Sequence, residues 1–178
     1  VAELTPMMQQ YMQTKKEYPD CILFYRLGDF YEMFFDDALT ASKELEITLT
    51  GKNCGLEERA PMCGVPYHAV DGYLNRLVSK GYKLAICEQM EDPATAKGLV
   101  KRDVVRIVTP GTNLDTQALD ETKNNYIMCI AYASDHYGVS VADVSTGEYM
   151  VTEIENSEKL FDEIYKFMPS ELICNEAF

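Results

Sequence analysis

The chain has 178 residues, of which 47% are hydrophobic and 25% are charged. These proportions are typical of a globular protein and exclude a disordered or fibrous chain. No apolar run approaches the roughly 20 residues that a membrane-spanning helix needs, and the first residues lack the basic and apolar regions of a secretory signal. We therefore expect a cytoplasmic protein of one or two small domains that makes no contact with a membrane.

The two parts of the chain differ strongly in charge. Residues 1–112 contain 13 basic and 16 acidic side chains, whereas residues 113–178 contain 3 basic and 13 acidic ones, and the whole chain carries a net charge of −13. A protein that binds nucleic acid through phosphate neutralisation alone is basic, so this mode of binding is excluded. The asymmetry predicts two segments with different roles.

The first segment alternates between helical and strand patterns. Thr5-Pro6 is typical of a helix start, because a threonine N-cap precedes a proline at the first helical position. A second helix is expected from Asp36, and a third over residues 70–78. The apolar face expected for the second helix consists of Phe35, Ala38, Leu39, Ser42 and Leu45. The predicted strands are residues 21–27, 30–35, 82–87 and 104–108, and the predicted Gly/Pro-rich loop is residues 51–66.

A different pattern follows a break at residues 109–112. The four strands predicted there are residues 126–133, 137–144, 148–154 and 171–174. A helix is expected from about Ser157. The side chains expected to face inward from this helix are Leu160, Phe161, Ile164 and Tyr165.

Motifs that would indicate catalysis are absent from the sequence. The chain contains no Walker A loop, no G-x-S-x-G and no H-E-x-x-H, and its six cysteines form no C-x-x-C pair. A metal-dependent nuclease centre would need Asp135, Asp143 and Glu148 to converge, but acids beside hairpin turns are more often solvated. We therefore expect neither enzyme activity nor a metal site in these residues.

The stretch GDFYE at residues 28–32 places an aromatic side chain close to a carboxylate. In a strand, Phe30 and Glu32 project from one face, whereas in a helix they lie about 200° apart. Gly28 permits a turn that directs the pair outward. An apolar side chain beside a hydrogen-bonding carboxylate suits the probing of a stacked, polar polymer such as DNA. The alternative is that Phe30 is one more core aromatic residue, like Phe24 or Phe34.

Several longer stretches of the sequence carry a resemblance to a known family. Between residues 5 and 112 these stretches are TPMMQQY, FYRLGDFYEMFFDDA, PMCGVPYHAV, AICEQMEDPATAKG and VVRIVTPGT. They closely resemble the N-terminal region of the MutS family of bacterial DNA mismatch-repair proteins, and a weaker resemblance continues through IAYASDHYGVSVADVSTGEYMVTEI. The resemblance implies an α/β chain. A mixed-sheet mismatch-recognition domain with flanking helices would occupy residues 1–112, a linker residues 113–124, and a truncated ribonuclease-H-like connector domain residues 125–178.

The resemblance also implies a function. Phe30 would enter the minor groove and stack on a mispaired base, and Glu32 would hydrogen-bond that base. The partner would be double-stranded DNA with mismatches or small loops, bound by a homodimer of the full-length protein. Other mismatch-repair proteins would meet the connector. ATP and Mg²⁺ would be bound by the family's ATPase domain, so no cofactor is expected for these residues.

Contacts to the DNA backbone must come from basic side chains elsewhere. The candidates are Lys52, Arg59, Lys97, Lys101 and Arg102. For each one, a solvated charged face is an equally good interpretation. A different class of function also stays open: the acidic second segment cannot favour DNA, so the chain would act as a protein–protein interaction module for other repair factors or domains.

Overall fold

The computed structural model describes residues 3–114, 119 and 123–178. These residues form two compact units that divide between Val108 and Thr109. Both units are mixed α/β, as predicted. Most of the predicted linker at residues 113–124 lies outside the described residues, and its extent stays a prediction. Among the described residues there is no helix that is both long and apolar enough to cross a membrane.

The first unit is built on a six-stranded sheet with the order β3-β4-β2-β1-β5-β6. Strands β1 and β5 are parallel, and the other neighbours are antiparallel. The elements are α1 (Pro6–Glu17), β1 (Cys21–Leu27), β2 (Phe30–Phe34), α2 (Phe35–Leu45), β3 (Thr50–Lys52), β4 (Ala60–Pro66), α3 (Val70–Val78), β5 (Lys83–Gln89) and β6 (Arg102–Val108).

Helices cover both faces of this sheet. On one face, Ala41 and Leu45 of α2 and Leu77 of α3 pack against the sheet side chains Phe24 and Met33. On the other face, Met8 and Tyr11 of α1 pack against a second set of sheet residues that includes Leu23, Tyr25 and Phe34. Burying each large apolar side chain stabilises the fold by about 1.5–3 kcal/mol. Helices therefore cover most of both faces of the sheet, although Val105 and Ile107 on the edge strand β6 are 53% and 46% exposed.

The predicted loop at residues 51–66 is confirmed only for residues 53–59 and is wrong for the rest. These residues contain most of β3 and the whole of β4, and β4 pairs along the full length of β2, from Phe30 opposite Pro66 to Phe34 opposite Met62. Glycine and proline usually interrupt strands, but here the pairing with β2 overrides the local preference. The correction is important because β4 lies directly beside the strand that carries Phe30 and Glu32.

Two predictions of inward-facing side chains are also wrong. Leu39 on α2 is 47% exposed, because the buried face of that helix runs through Asp37, Ala38 and Ala41. In the second unit, Phe161 and Tyr165 are exposed on the helix whose core contacts are made by Leu160, Ile164 and Phe167. In each helix the apolar face predicted from the sequence was too wide, and the residues at its edge face solvent.

The second unit is a four-stranded mixed sheet with the order β10-β7-β8-β9, in which β10 and β7 are parallel. Its elements are β7 (Tyr126–Ala133), β8 (His136–Asp143), β9 (Glu148–Ile154), α4 (Ser157–Phe167) and β10 (Glu171–Cys174). Helix α4 packs on the face that carries Met128, Ile130, Val139 and Val141. The strands and the helix of this segment were all predicted from the sequence, with shifts of one residue at the ends of β8.

Candidate nucleic-acid interface

Phe30 lies at the tip of the hairpin formed by β1 and β2. The turn consists of Gly28 and Asp29, and it places Phe30 opposite Leu27. Gly28 has a φ of 59°, and a positive φ at the first central residue is what a type II′ hairpin turn requires. Phe30 is 45% exposed, whereas the next residue, Tyr31, is 5% exposed. The hairpin therefore presents an aromatic ring to solvent at its first residue after the turn.

Alternation along β2 puts Phe30 and Glu32 on the same face of the sheet. Tyr31 and Met33 belong to the core beneath α2 and α3, so their neighbours in the strand point the other way. On that other face, helix α1 covers the far end of the strand, where the rings of Tyr11 and Phe34 lie 4.9 Å apart. The extended backbone that the pair requires is therefore present at residues 30–34.

The tip of the hairpin is anchored by hydrogen bonds to neighbouring elements. The Gly28 N–H donates to Oε1 of Gln89 at 2.9 Å, and the Tyr67 N–H donates to the Asp29 carbonyl at 2.9 Å. Arg26 donates from Nε to the Gly28 carbonyl at 2.5 Å, and its guanidinium lies 3.7 Å from the centre of the Tyr67 ring. A side chain on such a support is held in place before any ligand arrives, which lowers the entropic cost of binding.

Glu32 forms an ion pair with Lys52. The Lys52 Nζ lies 2.6 Å from Oε2 of Glu32, and the two side chains are only 32% and 16% exposed, respectively. Lys52 belongs to β3, which is separated from β2 by β4. The carboxylate next to Phe30 is thus already paired with a cation in the free protein.

Gly64 leaves room for the pair. It lies opposite Glu32 in the β2–β4 register. A Cβ atom at Gly64 would lie 3.2 Å from the Tyr31 carbonyl oxygen, 3.5 Å from Cγ of Glu32 and 3.7 Å from Cδ1 of Phe30. A side chain at this position would therefore press on the Tyr31 carbonyl and touch both residues of the candidate site.

Two of the five basic candidates lie at the same end of the sheet as Phe30. The connection between β5 and β6 leaves the sheet at Gln89, which contacts Gly28 of the hairpin turn, and is closed by a 2.8 Å hydrogen bond from the Met90 N–H to the Lys101 carbonyl. Lys97 and Lys101 are exposed on this connection.

The other basic candidates have different surroundings. Lys52 is engaged by Glu32. Arg102 is half-buried and donates to the carbonyls of Arg26 and Val100 and to Oε1 of Gln10, at 2.8–3.0 Å. Arg59 is exposed, donates to a nearby backbone carbonyl, and precedes the end of β4 that is remote from Phe30. The structure thus places Lys97 and Lys101 on a connection that leaves the sheet at the same end as Phe30, and it does not bring all five candidates together.

The three acids of the alternative nuclease centre do not converge. Asp135 precedes the eight-residue strand β8, and Asp143 ends it, opposite Glu148. A strand of this length separates its ends by roughly 25 Å. Asp143 accepts hydrogen bonds from the N–H groups of Asn125 and Ser145, both at 2.9 Å, and serves the turn. In the part of the chain that the structure describes, no group of His, Cys, Asp and Glu side chains could hold a metal ion.

Two contacts of the site had no signal in the sequence. Lys52 was recognised only as a possible phosphate contact, because β3, which carries it, and β4, which separates it from Glu32, both lie in the segment that was predicted to be a loop. The stacking of Arg26 on Tyr67 joins residues that are 41 positions apart. Such contacts depend on strand order, which the local sequence pattern does not contain.

Comparison with known proteins assigns both units. The family model of MutS domain I matches residues 5–117, and that of MutS domain II matches residues 125–178. The first match alone covers more than half of the chain, and the family's ATPase domain lies outside the matched residues.

Individual relatives agree with the family models. The chain is 70% identical over 178 residues to the DNA mismatch repair protein MutS of Lachnoclostridium phytofermentans, covering 100% of this chain and 19% of that protein. It is 64% identical over 181 residues to the protein of the same name in Acetivibrio thermocellus, covering 100% of this chain and 21% of the relative. The chain thus spans about a fifth of the length of these curated relatives. The resemblance predicted from the sequence is confirmed, and the chain belongs to the MutS family.

Proposed function

We propose that this chain recognises mispaired DNA within a mismatch-repair protein, with Phe30 inserted into the minor groove and Glu32 hydrogen-bonded to the displaced base. The observation that carries the proposal is the 45% exposure of Phe30 on an anchored hairpin, on the same face as Glu32. A core role for Phe30 would require burial like that of Phe24 and Phe34, which are 0% and 1% exposed.

The discrimination rests on the deformability of the duplex. Wedging an apolar side chain into a base step costs a few kcal/mol of unstacking and kinks the DNA. A mispaired base has already lost part of its pairing energy, so its displacement costs less. A protein that applies the same strain at every step therefore succeeds preferentially at defects. This mechanism reads no particular sequence and accepts many different mispairs.

In this proposal Glu32 contributes to discrimination more than to affinity. A carboxylate close to phosphates is repelled, and a fully paired duplex offers it no free donor. Two routes remain open: the charged carboxylate penalises the intact duplex, or it becomes protonated near the phosphates and donates to a ring nitrogen. Under both routes, Glu32→Gln binds matched duplex more tightly and discriminates less. Unchanged affinity for matched duplex in a fluorescence-anisotropy titration would argue against this role.

Backbone contacts complete the proposed interface. Lys97 and Lys101, on the connection that adjoins the hairpin tip, are best placed to meet phosphates beside the insertion site, with Lys52, Arg59 and Arg102 as further candidates. By family membership, we propose that the full-length protein acts as a homodimer in which one subunit reads the mispair. ATP and Mg²⁺ would be bound by a domain beyond these residues.

The test compares two exposed apolar side chains in the full-length protein. Phe30→Ala removes the proposed wedge, and Leu39→Ala removes a side chain of similar exposure, 47%, from α2. Stacking of a base on an aromatic side chain contributes about 1–3 kcal/mol. We therefore expect Phe30→Ala to weaken binding to a duplex with one G·T mispair by about 5- to 150-fold, while Leu39→Ala changes nothing.

A second candidate function is that of an interaction module without direct DNA contact. It is favoured by the second unit, in which Tyr149 and Val151 are each 67% exposed on β9. The same titration separates the two candidates. Retention of mismatch preference by the folded Phe30→Ala variant would favour the interaction module and reject the wedge.

A further inference from the structure

We infer that Lys52 is a positioning residue for mismatch discrimination, because its ammonium group neutralises and orients the Glu32 carboxylate until DNA binds. This inference rests on the proposed function of Phe30 and Glu32. It differs from a simple phosphate contact, since the effect of Lys52 on DNA binding would depend on the presence of the Glu32 charge.

The ion pair between Lys52 and Glu32 joins two strands of the sheet that are not adjacent. Lys52 on β3 pairs with Ala60 of β4, and Glu32 on β2 pairs with Gly64 of the same strand. The contact is therefore diagonal: it crosses β4, over a spacing of about 10 Å between β3 and β2, and is offset by four residues along that strand. The Lys52 Nζ lies 5.7 Å from the centre of the Phe34 ring, so the lysine side chain runs beside Phe34 toward Glu32. A Cβ at Gly64 would contact Cγ of Glu32 at 3.5 Å.

The partial burial of both side chains raises the cost of breaking the ion pair between Lys52 and Glu32. The Glu32 side chain is 16% exposed and that of Lys52 is 32% exposed. Removal of one member of a shielded ion pair leaves the other charge without compensation in a poorly solvated place. For Glu32, that uncompensated charge would lie beside the ring that must enter a groove lined with phosphates.

The ammonium group also suits a transfer of partners. A lysine Nζ carries three N–H donors, so it can donate to the carboxylate and to a phosphate oxygen at the same time. As Glu32 turns toward a base, Lys52 is thereby left with a phosphate partner and does not become an unpaired charge. Without Lys52, the approach of any duplex would be opposed by the uncompensated charge of the carboxylate.

The test is a double-mutant cycle in the full-length protein, measured by fluorescence anisotropy with matched and singly mispaired duplexes. We expect Lys52→Met to weaken binding to the mispaired duplex by about tenfold or more when Glu32 is present, but by no more than about twofold in the Glu32→Gln background. Lys52→Arg should restore binding, because it restores the counter-charge. Lys80→Met is the control, since Lys80 forms a 2.7 Å ion pair with Glu44 on α2 and should not affect DNA binding.

Equal losses in both backgrounds would overturn the inference and make Lys52 an independent phosphate contact, and so would failure of Lys52→Arg to restore binding. Only variants with an unchanged melting temperature are compared, and Lys52→Gln replaces Lys52→Met if the latter does not fold. Failure of the proposed function looks different: Phe30→Ala would then keep its mismatch preference, whatever the cycle shows.

Discussion

The two units differ in how their apolar side chains are covered by helices. In the first, helices cover both faces of the sheet, and Phe30 is exposed next to neighbours in β2 that are at most 5% exposed, apart from Glu32. In the second, α4 packs on one face, and on the opposite face Tyr149 and Val151 are each 67% exposed. Among the described residues, the exposed aromatic side chains of the first unit are Phe30 and Tyr67, and those of the smaller second unit are Tyr149, Phe161, Tyr165 and Phe178. An exposed aromatic residue is therefore more informative in the first unit, where it is rarer.

This difference separates side chains that stabilise the core from side chains that are exposed to solvent, where a ligand can reach them. Phe34 and Phe30 lie on one strand and one face, yet Phe34 packs against Tyr11 of α1 and Phe30 does not share its burial. Coverage by α1, and not residue type, distinguishes a core residue from a candidate probe. The following predictions test this comparison, from the largest expected effect to the smallest.

Asp37→Ala should strongly destabilise the first unit. The Asp37 carboxylate is 8% exposed and accepts from Lys15 Nζ at 2.9 Å and from the Leu23 N–H at 3.0 Å, which joins α1, β1 and α2. Removing one partner of such a buried pair costs about 3–5 kcal/mol. Urea denaturation followed by circular dichroism measures the loss. The neighbouring Asp36 is exposed, and Asp36→Ala should cost less than about 1 kcal/mol; equal costs would show that the network does not stabilise the fold.

Gly64→Ala should perturb the candidate site while Gly138→Ala is tolerated. At Gly64 the new Cβ would lie 3.2 Å from a backbone oxygen, whereas at Gly138 of β8 the nearest atom would be 3.8 Å away. Crowding of this kind costs about 1–3 kcal/mol. We expect a lower melting temperature and weaker mismatch preference for Gly64→Ala only. A similar response of both variants would mean that the space beside Glu32 is not constrained.

The second unit should lose stability in acid through Asp143. Burial raises the pKa of this carboxyl, but hydrogen bonds from the Ser145 hydroxyl and from the N–H groups of Asn125 and Ser145 outweigh it, so the pKa lies below the ordinary value of 3.8. The stabilisation is therefore complete above that value and is lost as the pH falls through the folded-state pKa. The hydrogen-exchange protection factors of the β8 and β9 amides, which correct for the pH dependence of the intrinsic exchange rate, should fall below about pH 4. Asp143→Asn should flatten this dependence, and an unchanged acid profile would contradict the assignment.

Tyr149→Ala should have the smallest effect. Its side chain is 67% exposed, and substitutions at such positions usually change stability by no more than about 0.5 kcal/mol. The melting temperature and the DNA preference should both stay unchanged. A lost preference would show that exposure in the second unit does contribute to the DNA interface, and the contrast between the units would fail.

The sequence predicts most of the elements because their local signals agree with the fold. Strand Cys21–Leu27 was predicted to the residue, since its apolar run ends at Gly28, and the start of α1 followed from the Thr5 cap, whose Oγ1 accepts from the Met8 N–H at 3.4 Å. Strand β4 was missed because its prolines and glycine oppose a strand locally. Pairing with β2 compensates for that opposition, and pairing is not visible from composition.

The candidate site was predictable in part. The spacing of the residues alone did not decide whether Phe30 is a DNA probe or a core residue. The resemblance to MutS favoured the DNA probe. The exposure of Phe30 depends on where α1 ends over the sheet, and the ion pair of Glu32 depends on the order of β3, β4 and β2. Both are consequences of tertiary packing, which single-sequence periodicity does not specify.

The most direct test of the account measures base unstacking at the mispair. The full-length protein is added to a duplex that carries 2-aminopurine next to a single G·T mispair, and the fluorescence of the base analogue reports loss of stacking. We predict that fluorescence rises with the unmodified protein and with Leu39→Ala, and that it does not rise with Phe30→Ala at saturating concentration. An equal rise with Phe30→Ala would contradict the claim that this exposed ring opens the base step.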